Sequence, residues 1–478
     1  MNPSSRRVTP GIRLAALLVI LFAATGLLFA QAENPVKAFF KDAPVADQDA
    51  VTKAEDLAAK GQWLSAWNSL SSYDVENLNG YALAEKIRLA LDGYAQTALH
   101  LVFGFVDIPE GQDLESVRSA PTDTIEPVEF HPGELAKAIE DKGGAIPPVL
   151  SYMLGTYYYT VWKTYPGQWL EEDAAILGNG TENYDRALAY DTFTVQSLDQ
   201  HSEMLMALNR YDGAESVLNK GLALDPENNM LILRLADTYL AAGRPADVFA
   251  QADKVIAKPA DDNQLNDAYV VAVKAGLALQ DKEILEKYIS GFEKSFSGQY
   301  MPGLVRHLAA IRLGDTAAAD AAADAVTIAF PGDPDIIRSI LSSWLSANDS
   351  DSGFRYLARM IEKAPGDESL AALYFYKALL DVEASKSSPE SIPLALADLT
   401  KAEEFFKKTY PEGHEVFGMI NDLRTQWTEA LNPSQASQEE TKAADVTAVA
   451  PGTDAPQVQA PAAGTPATDA PSTTSGQK

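Results

Sequence analysis

Catalysis and metal binding need convergent side chains, and the residues of this chain that could supply them are dispersed. The five histidines, His100, His131, His201, His307 and His414, show no H-E-x-x-H or H-x3-H spacing. Such spacing would set two imidazoles on one helical face for zinc. Cysteine is absent from all 478 residues, which removes thiol catalysis, disulfides, thiolate metal sites and lipid attachment through cysteine. There is no G-x-S-x-G elbow, no G-x4-G-K-[ST] phosphate loop and no G-x-G-x-x-G. The acidic stretches Glu171-Glu172-Asp173 and Asp261-Asp262 lack the glycine and alternating ligands of a calcium loop and read as solvated charge. The expectation is a protein that is not an enzyme and carries no cofactor or metal.

Binding chemistry is better represented. Tyr152, Tyr157, Tyr158, Tyr159, Trp162, Tyr165 and Trp169 crowd one apolar run. On a helix, residues 158, 162 and 165 share one face and 152 and 159 another, so rings would reach both a core and a surface. Their first expected use is to pack a neighbouring non-repeat segment. The alternative is a pocket for a small apolar or sugar-like ligand, because amphipathic rings suit such sites. Its candidates are Tyr152, Tyr158, Tyr159, Trp162, Tyr165 and Trp169.

The element that must position these groups is a helical hairpin. Between Val195 and Asp262 two units of 34 residues lie end to end. The first carries Leu198, Ser202, Leu205, Ala214, Leu218, Gly221 and Pro226. The second carries Ile232, Leu235, Ala236, Tyr239, Val248, Ala252, Val255 and Pro259. Small residues let two helices approach, large ones fill the space between them, and Pro ends the second helix because it lacks an N–H. The pattern resembles the tetratricopeptide repeat, with its period of 34 and closing Pro, and Leu154-Gly155-x2-Tyr158 repeats another of its marks. The resemblance implies an all-α solenoid of hairpins, seven or eight of them over about 45–431, each burying its apolar face on its neighbours.

The resemblance also implies a concave groove lined by the first helices at the second, fifth, ninth and twelfth places of each unit. In the two clearest units these are Gln196, Asp199, Glu203 and Met206, then Met230, Leu233, Asp237 and Leu240. Some members of the family grip a peptide's terminal carboxylate with Lys and Asn there, and this pair has neither. Its mixture of Met, Leu and carboxylates suits an apolar or basic peptide segment.

Other stretches depart from the period. Residues 1–32 read as a secretory signal peptide: Arg6, Arg7 and Arg13 precede the weakly polar-to-apolar run Leu14 to Ala30, and Ala30-Gln31-Ala32 offers a cleavage site. An uncleaved membrane anchor is the alternative. Residues 33–44 form a linker and 45–99 N-terminal helical hairpins, including a helix from Tyr81 to Leu99. Residues 100–148, with HLVFGFVD, EPVEF and many Pro and Gly, form a non-repeat insertion with a small β-hairpin. The array proper, 149–431, ends in a capping helix from about Glu415 to Leu431. It contains a loop of about twenty residues, with Pro166, Gly167, Gly178 and Gly180, inside its first unit. Residues 432–478, rich in Pro, Ala and Thr, form a disordered tail.

Lys plus Arg number 38 against 67 Asp plus Glu, a formal net charge of -29. That argues against nucleic acid or an anionic membrane as partner. The leading expectation is a periplasmic scaffold or adaptor that holds a protein or peptide partner in its groove. The rival is a small-ligand component of an envelope system, akin to the tetratricopeptide proteins that accompany TRAP-type transporters.

Overall fold

The two 34-residue units fold alike. Val195–Ala207 and Tyr211–Leu224 are α-helices, and so are Asn229–Ala241 and Pro245–Ala257, so both helix starts advance by the length of the unit. Each turn inside a hairpin contains one residue with left-handed φ, Asn209 at 58° and Gly243 at 72°. Such a residue ends one helix and reverses the chain, and Gly and Asn adopt that region at least cost. The same device recurs at Gln280, Gly314 and Asn348. Thr194 opens its helix with a reciprocal capping box to Ser197, and Asn228 accepts from the backbone N–H of Leu231, so the first turns leave fewer unpaired donors.

The computed structural model describes residues 35–119, 125–384 and 390–431. The expected signal peptide and the expected tail lie outside the described residues. After a 3-10 turn at Pro35–Phe40, twenty helices and three strands follow. In order they are α1 (Val45–Ala58), α2 (Trp63–Tyr73), α3 (Gly80–Asp92), β1 (Gln96–Ala98), β2 (Val102–Gly104), α4 (Leu114–Ser119), β3 (Pro127–Glu129) and α5 (Pro132–Asp141). Then come α6 (Pro148–Thr164), α7 (Asp173–Leu188), the repeat helices α8 to α11 given above, α12 (Asp262–Leu279), α13 (Lys282–Ser295) and α14 (Met301–Arg312). The last six are α15 (Thr316–Ala329), α16 (Pro334–Ser346), α17 (Ser350–Lys363), α18 (Asp367–Ala384), α19 (Ile392–Thr409) and α20 (Glu415–Leu431). Among the described residues the fold is therefore all-α apart from one small sheet. No helix among the described residues is long and apolar enough to cross a membrane.

The chain divides into two compact units after Gly314, a boundary inside the stretch 149–431 that the sequence suggests as one array. In the first unit, Leu198, Leu205, Ala214 and Val217 form the core of one hairpin, and Leu231, Leu235, Ala236, Val248 and Ala252 continue it toward Tyr269, Ala272 and Tyr288. Ser202 and Ala214 are fully buried, as the spacing predicts for places where helices touch. In the second unit, Phe375, Ala378, Ala395, Leu399 and Ala402 join α18 to α19, and Val416, Ile420 and Trp427 of α20 close that core.

Three expectations change. The helix from Tyr81 ends at Asp92, not Leu99: Gly93 is its C-cap, and it lies so close to Trp63 that a Cβ there would fall 2.0 Å from the indole. Strands β1, β2 and β3 pair antiparallel in that order, so the expected hairpin gains a third strand. It is no mere decoration, since Phe103, Phe105 and Phe130 enter the core of α1 to α3 and α6, with Trp67 stacked on Phe105 at 4.6 Å. Third, the twenty-residue loop is largely helix α7. Gly178 and Gly180 lie within it, and Gly180 permits a close approach to α6 and α8, a Cβ there falling 2.1 Å from Met204 and 3.1 Å from Tyr158.

Candidate functional site

The first helices α6, α8, α10 and α12 pack side by side in chain order, so one face of each contributes to a continuous strip. On this strip the carboxylates and cations of successive hairpins pair. The Glu203 carboxylate accepts hydrogen bonds from the Tyr159 hydroxyl at 2.8 Å and the Lys163 ammonium at 2.7 Å, and Arg234 approaches it at 3.5 Å. Arg234 Nε donates to Asp199 at 2.9 Å, with a second, longer bond at 3.4 Å. Burial alone would raise the pKa of Glu203, but these cationic and phenolic donors hold it below the usual range. Tyr159 is pushed above the usual phenol range by burial and by the Glu203 charge.

Asp237, one repeat beyond Glu203, has its pKa raised by burial, with Lys274 and Arg234 acting against the rise. The apolar members of the strip stay partly open. Met206, Leu233 and Leu240 are half-buried, Met230 and Gln196 are exposed, and Thr238 donates its hydroxyl to the Met206 sulfur at 3.1 Å. The strip can thus hold apolar contacts, but its buried charges are largely neutralised from within. Arg234, Lys163 and Lys274 are the site residues that the repeat frame does not mark. Arg234 follows Asp199 by one repeat plus one residue, and Asp324–Arg359 at 2.9 Å and Asp253–Tyr288 at 2.9 Å share that offset.

The aromatic candidates go to several places. Tyr152 is in the core between Phe39, 5.1 Å away, and Tyr184, 6.5 Å away. Tyr165 meets His100 edge-on at 5.3 Å and stacks on Trp169 at 5.8 Å. Nearby, the buried Tyr157 donates its hydroxyl to the His100 carbonyl at 3.0 Å. These contacts fasten the sheet segment to α6. Tyr159 and Trp162, 6.1 Å apart, belong to the strip, with Lys163 over the indole at 5.2 Å. Tyr158 lines a separate polar cavity of about 270 Å³ between α5, α6 and α7, with Lys137, Asn179, Asn183 and Arg186. The six rings therefore do not close around one cavity.

The histidines stay apart. His201 is buried with its ring 5.4 Å from that of Tyr184 and Nε2 3.3 Å from Asp185. Among the described residues no group of three or more His, Asp or Glu side chains is placed to hold a metal ion.

No protein-family model matches the sequence, and no curated protein matches it. Solved structures with similar helix packing include a tetratricopeptide repeat protein from Parabacteroides merdae, 13% identical, covering 58% of this chain and 99% of that one at a TM-score of 0.32. A thermophilic tetratricopeptide protein of Thermus thermophilus is 22% identical and covers 41% of this chain and 98% of its own, at a TM-score of 0.26. PilW, a type IV pilus biogenesis factor, is 13% identical, with 53% and 95% covered and a TM-score of 0.31.

Proposed function

We propose that this chain, an array of tetratricopeptide-type helical hairpins, is a non-enzymatic scaffold of the cell envelope that holds a segment of a partner protein on the strip formed by α6, α8, α10 and α12. The observation that carries this reading is the division of labour on the strip. Asp199 and Glu203 are engaged by Arg234 and Lys163, while Met206, Met230, Leu233 and Leu240 remain at least partly open. An apolar segment gains more from such a surface than a basic one, because a cation would have to displace an existing partner. Met and Leu side chains repack against varied shapes. Export would depend on residues 1–32, and the periplasm is the compartment that such a leader serves.

The test is photocrosslinking from position 230 in the full chain, in cells and in their envelope fraction, with position 254 on α11 as control. A protein adduct specific to position 230 is expected. The crosslinked segment, made as a peptide, should bind the purified chain and lose at least tenfold in affinity with Leu240→Arg. No adduct at either position, with a small molecule copurifying, would overturn the proposal.

A further inference from the structure

The second unit contains a cavity that the scaffold reading does not use. Its volume is about 500 Å³, and it lies where three turns between hairpins converge, at Gly332 and Pro334, at Glu368, and at Tyr410 to Glu415. It is thus built at the starts of α16, α18 and α20. Phe375, Phe406 and Val416 form its floor, each 8% exposed. Tyr376 and Tyr410 stand as half-buried walls, and the Tyr410 ring is stacked on His414 at 4.3 Å.

The rim is acidic. Glu368 accepts a hydrogen bond from the Tyr410 hydroxyl at 3.2 Å, and Glu415 also lines the cavity. Both are exposed, and among the described residues neither makes an ion pair, unlike nearby Asp367, whose carboxylate is paired with Lys408 at 3.3 Å. First-turn carboxylates also complement helix dipoles, but a helix start carries only about half a unit charge. Two full charges, with Asp333 capping α16 close by, leave the opening negative. Aromatic faces add attraction for a cation, and a cavity of this size with an apolar floor and few polar groups has the proportions of a small-molecule site.

We infer that this cavity binds a small organic cation, an ammonium or guanidinium group carried on an apolar or aromatic body. The body rests on Phe375, Phe406 and Val416, and the cation sits between Glu368, Glu415 and the Tyr410 ring. The site is separate from the strip in the first unit and does not depend on the scaffold proposal.

Titration calorimetry on the full chain at low salt tests it, with phenethylammonium as probe, phenylacetate as the anionic control and acetyl-Phe-Arg-amide as the peptide control. Phenethylammonium should bind at one site per chain and phenylacetate should not. Glu368→Gln with Glu415→Gln should weaken the ammonium at least tenfold, whereas Glu362→Gln with Glu404→Gln, which removes equal charge elsewhere in the unit, should change it less than twofold. Met419→Lys, at an exposed wall position, should abolish binding by placing a tethered ammonium in the cavity while leaving the melting temperature unchanged. Equal binding of phenylacetate, no binding of either probe, or equal losses in both double variants would overturn the inference. A tenfold preference for the peptide would overturn its assignment to a free small molecule.

Discussion

His100 shows how much one side chain can fix. It occupies a left-handed turn between β1 and β2 with φ of 50°, directly after Leu99 at 51°. Its carbonyl is held by Tyr157 and its ring by Phe103, Tyr94 and Tyr165. Burial pushes its pKa down to about 4, so it is neutral in the fold, whereas in the unfolded chain it returns to about 6.5. Between those values the unfolded state binds more protons, so the stability of the first unit should rise with pH and be lost as pH falls through this window, by roughly 2–3 kcal/mol. Denaturant titrations at pH 7 and 4.5 should show this loss in the native chain and much less of it in His100→Asn, which suits the turn but does not titrate. Ala214, with none of its surface exposed, makes the complementary point. Ala214→Asp would bury an unpaired charge and cost several kcal/mol, on the order of 3, and an unchanged melting temperature would contradict the hairpin register. For the strip, Arg234→Ala should cost about 2 kcal/mol by leaving Asp199 nearly buried without its cation, and Asp199→Asn in the same chain should recover part of that in a double-mutant cycle.

Where two helices meet, what decides the fold is often a missing side chain. Gly155 of α6 sits so close to α7 that a Cβ would fall 2.6 Å from the Tyr184 ring, and a ring cannot yield as a flexible chain end can. Gly155→Ala should therefore destabilise the α6–α7 hairpin by about 1–3 kcal/mol through overpacking, read as a lower denaturation midpoint at an unchanged slope. Such contacts also explain what could be read from the sequence. The hairpins were legible because Leu198 and Ile232, and Ala214 and Val248, recur at the repeat length, and all four are buried. Gly178 and Gly180 read as loop because glycine disfavours an isolated helix, and only the nearness of Met204 and Tyr158 across the contact gives the placement of Gly180 in α7 a purpose, whereas a Cβ at Gly178 would meet open space. The close approach of Gly93, the C-cap of α3, to Trp63 involves a residue thirty positions earlier that no local window includes. Asp199 and Glu203 could be named from their places in the repeat. Their neutralisation could not, because Arg234 belongs to the next hairpin and lies one place outside the frame that marks groove residues. The offset shared by Asp199–Arg234 and Asp324–Arg359 is the signal that would have found it.

Across the molecule, acidic residues outnumber basic ones by 67 to 38, so the folded state works against its own charge. Raising salt from about 10 to 300 mM at pH 7 should increase the melting temperature, since screening relieves this repulsion more than it weakens the exposed ion pairs, and a fall on adding salt would mean that the pairs dominate. The cross-hairpin pairing on the strip has a further consequence for how such a chain can change length. Excising residues 195–228 would bring Asp237 to the place that Glu203 occupies, so Lys163 would keep an acidic neighbour. Duplicating the same residues is not symmetrical: the first copy would face Gln200 of the second copy where Arg234 now stands, leaving one Asp199 and Glu203 set without its arginine. A chain lengthened by one module in this way should bind basic peptides more tightly than the native chain does. Growth by tandem duplication would then alter what the surface recognises before any residue is substituted.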